Sequence, residues 1–176
     1  MTPKQRKSYI QKIHLVLSNM EGISAVTKGS SNWIELIIKE KFGSNDIKVN
    51  SYHISDGTLR ILAFFALFYI KYDYGLLMVD EIENGLDPHI VTKIVELYYE
   101  FTSQTHNQLL LTTHSTLMLD DFKPEDIIYV YRNQDGSIGA NRVFNNKKVK
   151  EFLKYMYPGE IWININEKEL LESNSN

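Results

Sequence analysis

The sequence contains no cysteine, which excludes a disulfide framework and any metal site built from thiolates. It also lacks a long apolar run. The longest one, residues 59–70, is interrupted by Arg60 and is about half of the ~20 residues that a transmembrane helix needs. The basic N-terminus becomes amphipathic without the apolar core and small-residue cleavage site of a secretion signal. We therefore expect a cytoplasmic protein with no membrane association.

A strong charge of one sign is also missing, since 19 Lys and Arg stand against 22 Asp and Glu. This balance creates no overall field for nucleic acid or an anionic membrane, so a nucleic-acid role would have to come from a local site. The 176 residues are 43% hydrophobic and 12% aromatic, which is enough to bury the core of one domain. We expect a single domain over residues 1–165, followed by a tail over 166–176 whose end is disordered.

The first part of this domain, residues 1–54, has the pattern of a helix followed by antiparallel strands. Apolar residues recur at helical spacing over 8–20. Segments 23–28 and 33–39 are rich in β-formers and flank a Gly-Ser-Ser-Asn turn, which predicts a hairpin. We expect two shorter strands near 47–49 and 52–54.

The core, residues 55–144, alternates between helices and short apolar strands. Helices are expected over 58–72 and 88–102, and strands over 76–79, 109–112 and 127–131, with a short helix before the last strand. This order indicates an α/β fold with a mainly parallel sheet and helices on both faces. Asp135-Gly136 then predicts a hairpin turn into a strand over 138–144. Residues 145–165 should add a C-terminal helix, near 147–155, and a strand.

The predicted strand 76–79 ends in two adjacent carboxylates, Asp80 and Glu81. Ligands bind at the carboxyl ends of the strands in an open parallel sheet. Consecutive side chains diverge at a strand end, so Asp80 can hold Mg²⁺ through its water shell while Glu81 faces a different water. Phosphoryl transfer needs both tasks, a held metal and a carboxylate that deprotonates the attacking water. An acidic turn after a structural strand is the alternative interpretation.

Three other polar segments occur around this pair in a fixed order. Upstream, SDGTLR at 55–60 opens the long helix, where free N–H groups and the helix dipole favour a phosphate. Capping of that helix by Ser55 or Asp56 is an equally compatible role. Downstream, IENGLDP at 82–88 forms a glycine-containing loop into the next helix, and TTHS at 112–115 ends the second apolar strand.

Together these segments resemble the ABC-type ATPases, in the branch of RecF, the structural-maintenance-of-chromosomes (SMC) proteins and many bacterial AAA-annotated ATPases of repair and phage defence. SDGTLR is similar to the signature motif of that branch, LLMVDEIENGLDP to its Walker B strand and D-loop, and TTHS to its switch-histidine loop. The resemblance covers about residues 52–131. Ile82 and Asp87 depart from the proline and histidine that are common at these positions.

The resemblance implies a partial P-loop NTPase core and a role for each matched residue, with ATP and Mg²⁺ as cofactors. Asp80 would support Mg²⁺, Glu81 would be the general base, and His114 would contact the γ-phosphate. Asp87 would act across the interface of a dimer whose two protomers share each ATP. The residues that bind the γ-phosphate of the opposite protomer's ATP would lie in the signature: Ser55, Asp56, Gly57 and Thr58.

The phosphate-binding loop of these enzymes, G-x-x-x-x-G-K-[ST] (Walker A), is not found in the sequence. In the family it lies upstream of the signature, so the chain is interpreted as the C-terminal part of an ABC-type ATPase domain. We expect an ATP hydrolase that needs a Walker A-bearing polypeptide or an N-terminal half and works as a homo- or heterodimer in DNA repair or phage defence. The isolated chain should be weakly active or inactive. It should also associate through the unpaired edge of strand 109–112.

Other functions fit parts of the pattern. A regulatory or interaction remnant of such an ATPase would keep the signature surface without hydrolysis. A metal nuclease would use the carboxylates of Asp80, Glu81, Glu83 and Asp87, although no second acidic cluster lies on a separate strand. A transporter subunit is disfavoured because SDGTLR differs from the transporter signature. Nucleic acid is a candidate partner of the lysines near 147–154, which equally fit a solvated helix face.

Overall fold

The computed structural model describes residues 1–29, 33–69, 75–104 and 107–172, and these form a mixed α/β fold. The helices α1 to α7 span Pro3–His14, Asp56–Leu67, Pro88–Gln104, Thr116–Asp121, Lys147–Phe152, Pro158–Asn164 and Glu167–Glu172. The strands β1 to β7 span Met20–Lys28, Trp33–Phe42, Asn45–Asn50, Leu76–Val79, Gln108–Leu111, Tyr129–Arg132 and Ile138–Asn141. The α/β class predicted from the sequence is confirmed.

The first helix lies closer to the N-terminus than predicted, at Pro3–His14 rather than 8–20. A capping box between Thr2 and Gln5, with proline as the first helical residue, begins the helix early. It ends at His14 because Met20 already belongs to β1. The prediction extended too far because the helical spacing of apolar residues continues beyond α1, through the turn and into the start of β1.

Strands β1, β2 and β3 form an antiparallel sheet in that order, and the predicted hairpin is confirmed, with Lys28 opposite Trp33. β3 returns after a turn in which Gly43 has a φ of +62°. The strand predicted at 52–54 is wrong, because Ser51–His53 form a short 3₁₀ turn. That turn redirects the chain from β3 to the start of α2.

The main hydrophobic core lies between α1, α2, α3 and the sheets. Its largest fully buried side chains include Ile13, Met20, Phe65, Ile94 and Met118. The buried Tyr9 hydroxyl donates to the Leu62 carbonyl at 2.7 Å, which ties α1 to α2. Burial raises the pKa of Tyr9 to about 12, so this donor keeps its proton at neutral pH.

β4 and β5 pair in parallel, with Val79 opposite Leu111. One face of this pair packs on the main core through Leu77, Val79, Leu109 and Leu111. The other face carries Leu76, Met78 and Leu110, which are 49%, 70% and 46% exposed. We call these three side chains the open apolar face. Cover on both faces, which the sequence predicted, is therefore not present at these residues.

The predicted strand 127–131 does not join the parallel sheet. Its counterpart β6 pairs antiparallel with β7, across a turn in which Gly136 has a φ of +83°. β7 ends at Asn141 rather than at 144, because Val143–Asn145 form a 3₁₀ turn that buries Val143 and Phe144. These two side chains join a second hydrophobic cluster with Val149, Ile161 and Leu170.

The C-terminal strand predicted within 145–165 is wrong, because α5 and α6 occupy this region. Residues 167–172 form α7 and place Leu170 in the second cluster, so this part of the predicted tail is folded. The predicted disorder at 173–176 lies outside the described residues. Within the described ranges, no helix is long and apolar enough to span a bilayer.

Candidate functional site

Asp80 and Thr112 lie at the carboxyl ends of β4 and β5. The N–H of Thr112 donates to the Val79 carbonyl at 3.0 Å, which extends the pairing of the strands by one residue. The Thr112 hydroxyl donates to Asp80 Oδ1 and accepts the N–H of Glu81 at 2.9 Å. One hydroxyl therefore orients both acidic residues that follow β4.

Glu81 has a φ of +45°, a left-handed conformation that is strained for a residue with a side chain. Three hydrogen bonds hold this backbone. Thr112 accepts from the Glu81 N–H, and the Glu81 carbonyl accepts from Arg60 Nη1 at 3.0 Å and from the Asn84 N–H at 3.1 Å. Strained residues of this kind cluster at functional sites, where the surrounding contacts fix them.

The Glu81 carboxylate lies beside His114, at 3.5 Å between Oε1 and the imidazole Nε2. Asn84 Nδ2 lies 3.4 Å from the other carboxylate oxygen. The Glu81 side chain is 43% exposed and that of His114 is 89% exposed, so both remain accessible to a ligand. The structure thus brings together three residues that the sequence singled out, Asp80, Glu81 and His114.

The loop that carries His114 is held by Glu83. Glu83 Oε1 accepts from the Thr113 hydroxyl at 2.7 Å and from the backbone N–H of His114 at 2.9 Å. Glu83 Oε2 is buried and has no hydrogen-bond partner among the described residues. The nuclease hypothesis counted Glu83 as a metal ligand, but this carboxylate is turned toward the loop donors.

The signature segment lies at the start of α2. Ser55 Oγ accepts the Thr58 N–H at 3.1 Å, so Ser55 caps the helix as expected, while Asp56 is exposed in the first turn. Gly57 is buried against the turn 81–85, where a Cβ at this position would lie within 3.0 Å of the Gly85 carbonyl oxygen. Close packing thus requires glycine at position 57 independently of any ligand.

Among the hydrogen bonds of the described residues, none joins Ser55 or Thr58 to Asp80, Glu81 or His114. The signature therefore forms a second surface, linked to the carboxylates by Arg60 on α2 and by the contact of Gly57 with Gly85.

Asp87 begins α3. Its Oδ1 accepts the His89 N–H at 2.9 Å, and Pro88 is the first residue of the helix. Asp87 is exposed. Its carboxylate is thus engaged as a helix cap, which leaves Asp80 and Glu81 as the carboxylates of the site, and its role at a dimer interface stays a prediction.

Three residues at this site, Arg60, Thr112 and Glu83, were not assigned these roles from the sequence. Their partners lie 21, 32 and 31 positions away in the chain. The parallel pairing of strands 76–79 and 109–112 was predicted, and it places residue 112 next to residue 80. That signal could have identified Thr112, whereas the long side chains of Arg60 and Glu83 could not be placed without coordinates.

The donor set at Asp80 fits a hydrated Mg²⁺. This ion prefers oxygen ligands, keeps several waters, and is commonly held by one or two carboxylates together with substrate phosphates. Asp80 is exposed, and the bond from Thr112 fixes its carboxylate in one orientation. The Glu81 carboxylate, next in the chain, is 43% exposed and so accessible to water.

The family model described as "AAA domain, putative AbiEii toxin, Type IV TA system" matches residues 1–120, and the chain belongs to this family. The family and the fold together define an ATPase-type domain. No curated protein sequence matches the chain.

Solved structures of SMC ATPase heads have a similar fold. One comes from work on ATP-driven dimerisation and DNA-stimulated activation of SMC ATPases, with 18% identity, a TM-score of 0.52 and coverage of 87% of this chain and 95% of that one. An Smc head with a coiled coil and joint from Pyrococcus yayanosii has 19% identity, a TM-score of 0.57 and coverage of 77% and 26%. An Smc head bound to the C-terminal domain of ScpA, from Pyrococcus furiosus, has 13% identity, a TM-score of 0.55 and coverage of 85% and 37%. The chain thus spans 26% and 37% of the lengths of the two Pyrococcus chains.

Proposed function

We propose that this chain supplies the hydrolytic half of an ATP site. The observation that carries the proposal is the position of Glu81, which directly follows Asp80 and whose carboxylate lies 3.5 Å from the His114 ring. A carboxylate that orients and deprotonates water, next to a carboxylate that holds Mg²⁺, is what hydrolysis of a phosphoanhydride requires. Membership of an AAA family supports ATP as the substrate.

Each residue of the site has a distinct task in this reaction. Asp80 would hold the hydrated Mg²⁺, which would supply positive charge against the phosphates. Glu81 accepts the proton of the attacking water. Thr112 holds the Asp80 carboxylate and the Glu81 backbone through its two hydrogen bonds. The exposed imidazole of His114 donates to the γ-phosphate and remains within reach of Glu81.

The phosphate-binding loop comes from another segment or polypeptide, and the open apolar face supports this part of the proposal. Parallel strands are normally covered by helices on both faces. A helix in a right-handed crossover on this face would begin at the carboxyl ends of the strands. Its N-terminus would then lie near Asp80, where the helix dipole and free N–H groups bind phosphate.

The site is completed by a second protomer. Ser55, Asp56 and Thr58 form a surface separate from the carboxylates, next to the buried Gly57, at the N-terminus of the 12-residue helix α2. We assign this surface to the γ-phosphate of the ATP held by the other protomer, and Asp87 to the contact between protomers. ATP-driven dimerisation of SMC ATPases, which have this fold, supports the arrangement. DNA repair or phage defence is the proposed setting.

The test is ATP turnover by the chain combined with the polypeptide or segment that carries the phosphate-binding loop. Replacing Glu81 with Gln should lower turnover by roughly 10²-fold or more, while ATP binding and dimerisation persist. Glu96→Gln is the matched control, since Glu96 is an exposed residue of α3 that pairs with Lys93. Equal turnover by Glu81→Gln and the native chain would exclude Glu81 as the base. ATP binding without any turnover in the native assembly would indicate a regulatory remnant instead.

A further inference from the structure

Glu83 is the residue on which the position of His114 depends. The imidazole of His114 is almost fully exposed, with the 3.5 Å approach to Glu81 as its side-chain contact, so little packing holds the ring. Its backbone is better fixed, because the N–H of His114 donates to Glu83 Oε1 at 2.9 Å. The bond from the His114 N–H to Glu83 therefore limits the positions that the imidazole ring can adopt.

The same oxygen of Glu83 also accepts from Thr113 Oγ1 at 2.7 Å. Thr113 Oγ1 in turn accepts the Ser115 N–H at 3.0 Å, and Ser115 Oγ caps α4 by accepting the Met118 N–H at 3.3 Å. A continuous chain of hydrogen bonds thus runs from Glu83 through the histidine loop into the first turn of α4. Loss of Glu83 would remove the two bonds that hold Thr113 and the His114 backbone at the start of this chain.

Glu83 belongs to the same short turn as Glu81. The Asn84 N–H donates to the Glu81 carbonyl at 3.1 Å, and the Leu86 N–H donates to the Glu83 carbonyl at 3.0 Å. This turn is held to α2 through the packing of Gly57 on Gly85. A carboxylate two residues after Glu81 therefore joins the loop of His114 to the rigid turn that carries the proposed base.

The arrangement is not an optimum for stability alone. Glu83 Oε2 is buried without a hydrogen-bond partner, and no cation pairs with Glu83 among the described residues. A buried oxygen without a partner is costly. A charged acceptor is nevertheless the group that makes the strongest bonds to two donors converging on one oxygen.

We infer that Glu83 is a positioning residue that holds the loop of residues 112–115 so that the His114 ring stays beside Glu81. This inference rests on the proposed function for its catalytic meaning. Its structural part can be tested on the chain alone. Glu83 is assigned no contact with ATP or metal.

The first test is amide hydrogen exchange of the isolated chain, which needs neither ATP nor a partner. Glu83→Ala should speed exchange at residues 112–116 by about 10-fold or more, since it removes two bonds to a charged acceptor. Glu83→Gln keeps the acceptor oxygen and should lie between the native chain and Glu83→Ala. Glu96→Ala is the control and should leave this segment unchanged. Exchange at 112–116 that is unchanged in Glu83→Ala, or that rises equally over the whole chain, would overturn the inference.

A second variant covers the case in which Glu83→Ala does not fold. Thr113→Val removes one donor to Glu83 and the acceptor of the Ser115 N–H, so exchange should rise at 113–116 and the NMR contact between the His114 ring and Glu81 should weaken. A retained contact with unchanged exchange would overturn the inference. In the complete assembly, Glu83→Ala should lower kcat by about 10-fold or more at unchanged KM for ATP, because only the loop is displaced. An inactive native assembly would count against the proposed function alone, and unchanged kcat in an active one against the role of Glu83.

Discussion

Gly57 on α2 packs directly against the carbonyl group of Gly85, in the turn that follows Glu81. Gly85 adopts a φ of +78°, which presents its carbonyl oxygen to the buried start of the helix. The contact leaves no room for a side chain at position 57. The signature segment and the turn after β4 are therefore joined by backbone packing, in addition to the bond from Arg60 to Glu81.

Gly57→Ala should destabilise the chain by about 1 to 3 kcal/mol, the usual cost of forcing a methyl group into a packed site. The free energy of unfolding in urea measures this effect. Gly22→Ala is the control, since a Cβ at position 22 would meet Lys39 Cβ at an ordinary 3.8 Å. A Gly57→Ala chain as stable as the Gly22→Ala chain would contradict the close contact.

Glu81→Gly should be more stable than Glu81→Ala by about 1 kcal/mol, because glycine adopts the left-handed conformation without strain. Both variants lose the carboxylate, so the difference between them isolates the backbone term. Urea unfolding of the isolated chain measures it. Equal stability of the two variants would show that position 81 is not strained, whereas loss of turnover in both is expected from the proposed role of the carboxylate.

Thr112→Val should lower ATP turnover of the complete assembly by about 10-fold or more, since one positioned polar group contributes on this scale to catalysis. Valine has the same shape but cannot accept the Glu81 N–H or donate to Asp80. Thr112→Ser keeps the hydroxyl and should retain most of the activity. Turnover that falls equally in both variants would point to packing of the methyl group rather than to the hydroxyl.

Met78→Glu should reduce self-association of the isolated chain, because a charge in the open apolar face opposes its burial. It should also weaken binding of the polypeptide that carries the phosphate-binding loop. Sedimentation of the isolated chain and a binding titration measure the two effects. Tyr155→Glu, at an exposed hydrophobic position outside the open apolar face, should change neither. A native chain that is monomeric at all concentrations would contradict the predicted self-association.

The grouping of Asp80, Glu81 and His114 was predictable because it follows from a rule of topology. Two apolar strands that pair in parallel bring their carboxyl ends together, and the sequence marks both ends with polar residues. The roles of Glu83 and Arg60 depend instead on where long side chains bend in space. The spacing of residues in the sequence does not indicate these bends, so the contacts of Glu83 and Arg60 are seen only in the structure.

The C-terminal region was predicted less well for a related reason. Its elements are short, and α5, α6 and α7 have six or seven residues each, too few for a period to be distinguished. Burial of Val143 and Phe144 in the second cluster ends β7 early, which is a tertiary effect. The local sequence pattern was enough to predict the long helices α2 and α3, but it was not enough to predict these short elements.

Helix α4 directly follows the loop of His114, since Ser115 is its N-cap residue. At its far end Asp120 accepts the N–H of Gly159 at 2.6 Å, and α6 lies so close to α4 that a side chain at 159 would overlap the Thr116 carbonyl oxygen. Both ends of this short helix thus contact Gly159, at the start of α6. Because α4 joins the loop of His114 to α6, we expect a movement of that loop to reach Trp162 on α6, which packs edge-on against Tyr129. Tryptophan emission should then change when the loop moves, and replacing the exposed Trp33 with Phe would leave Trp162 as the tryptophan that reports it.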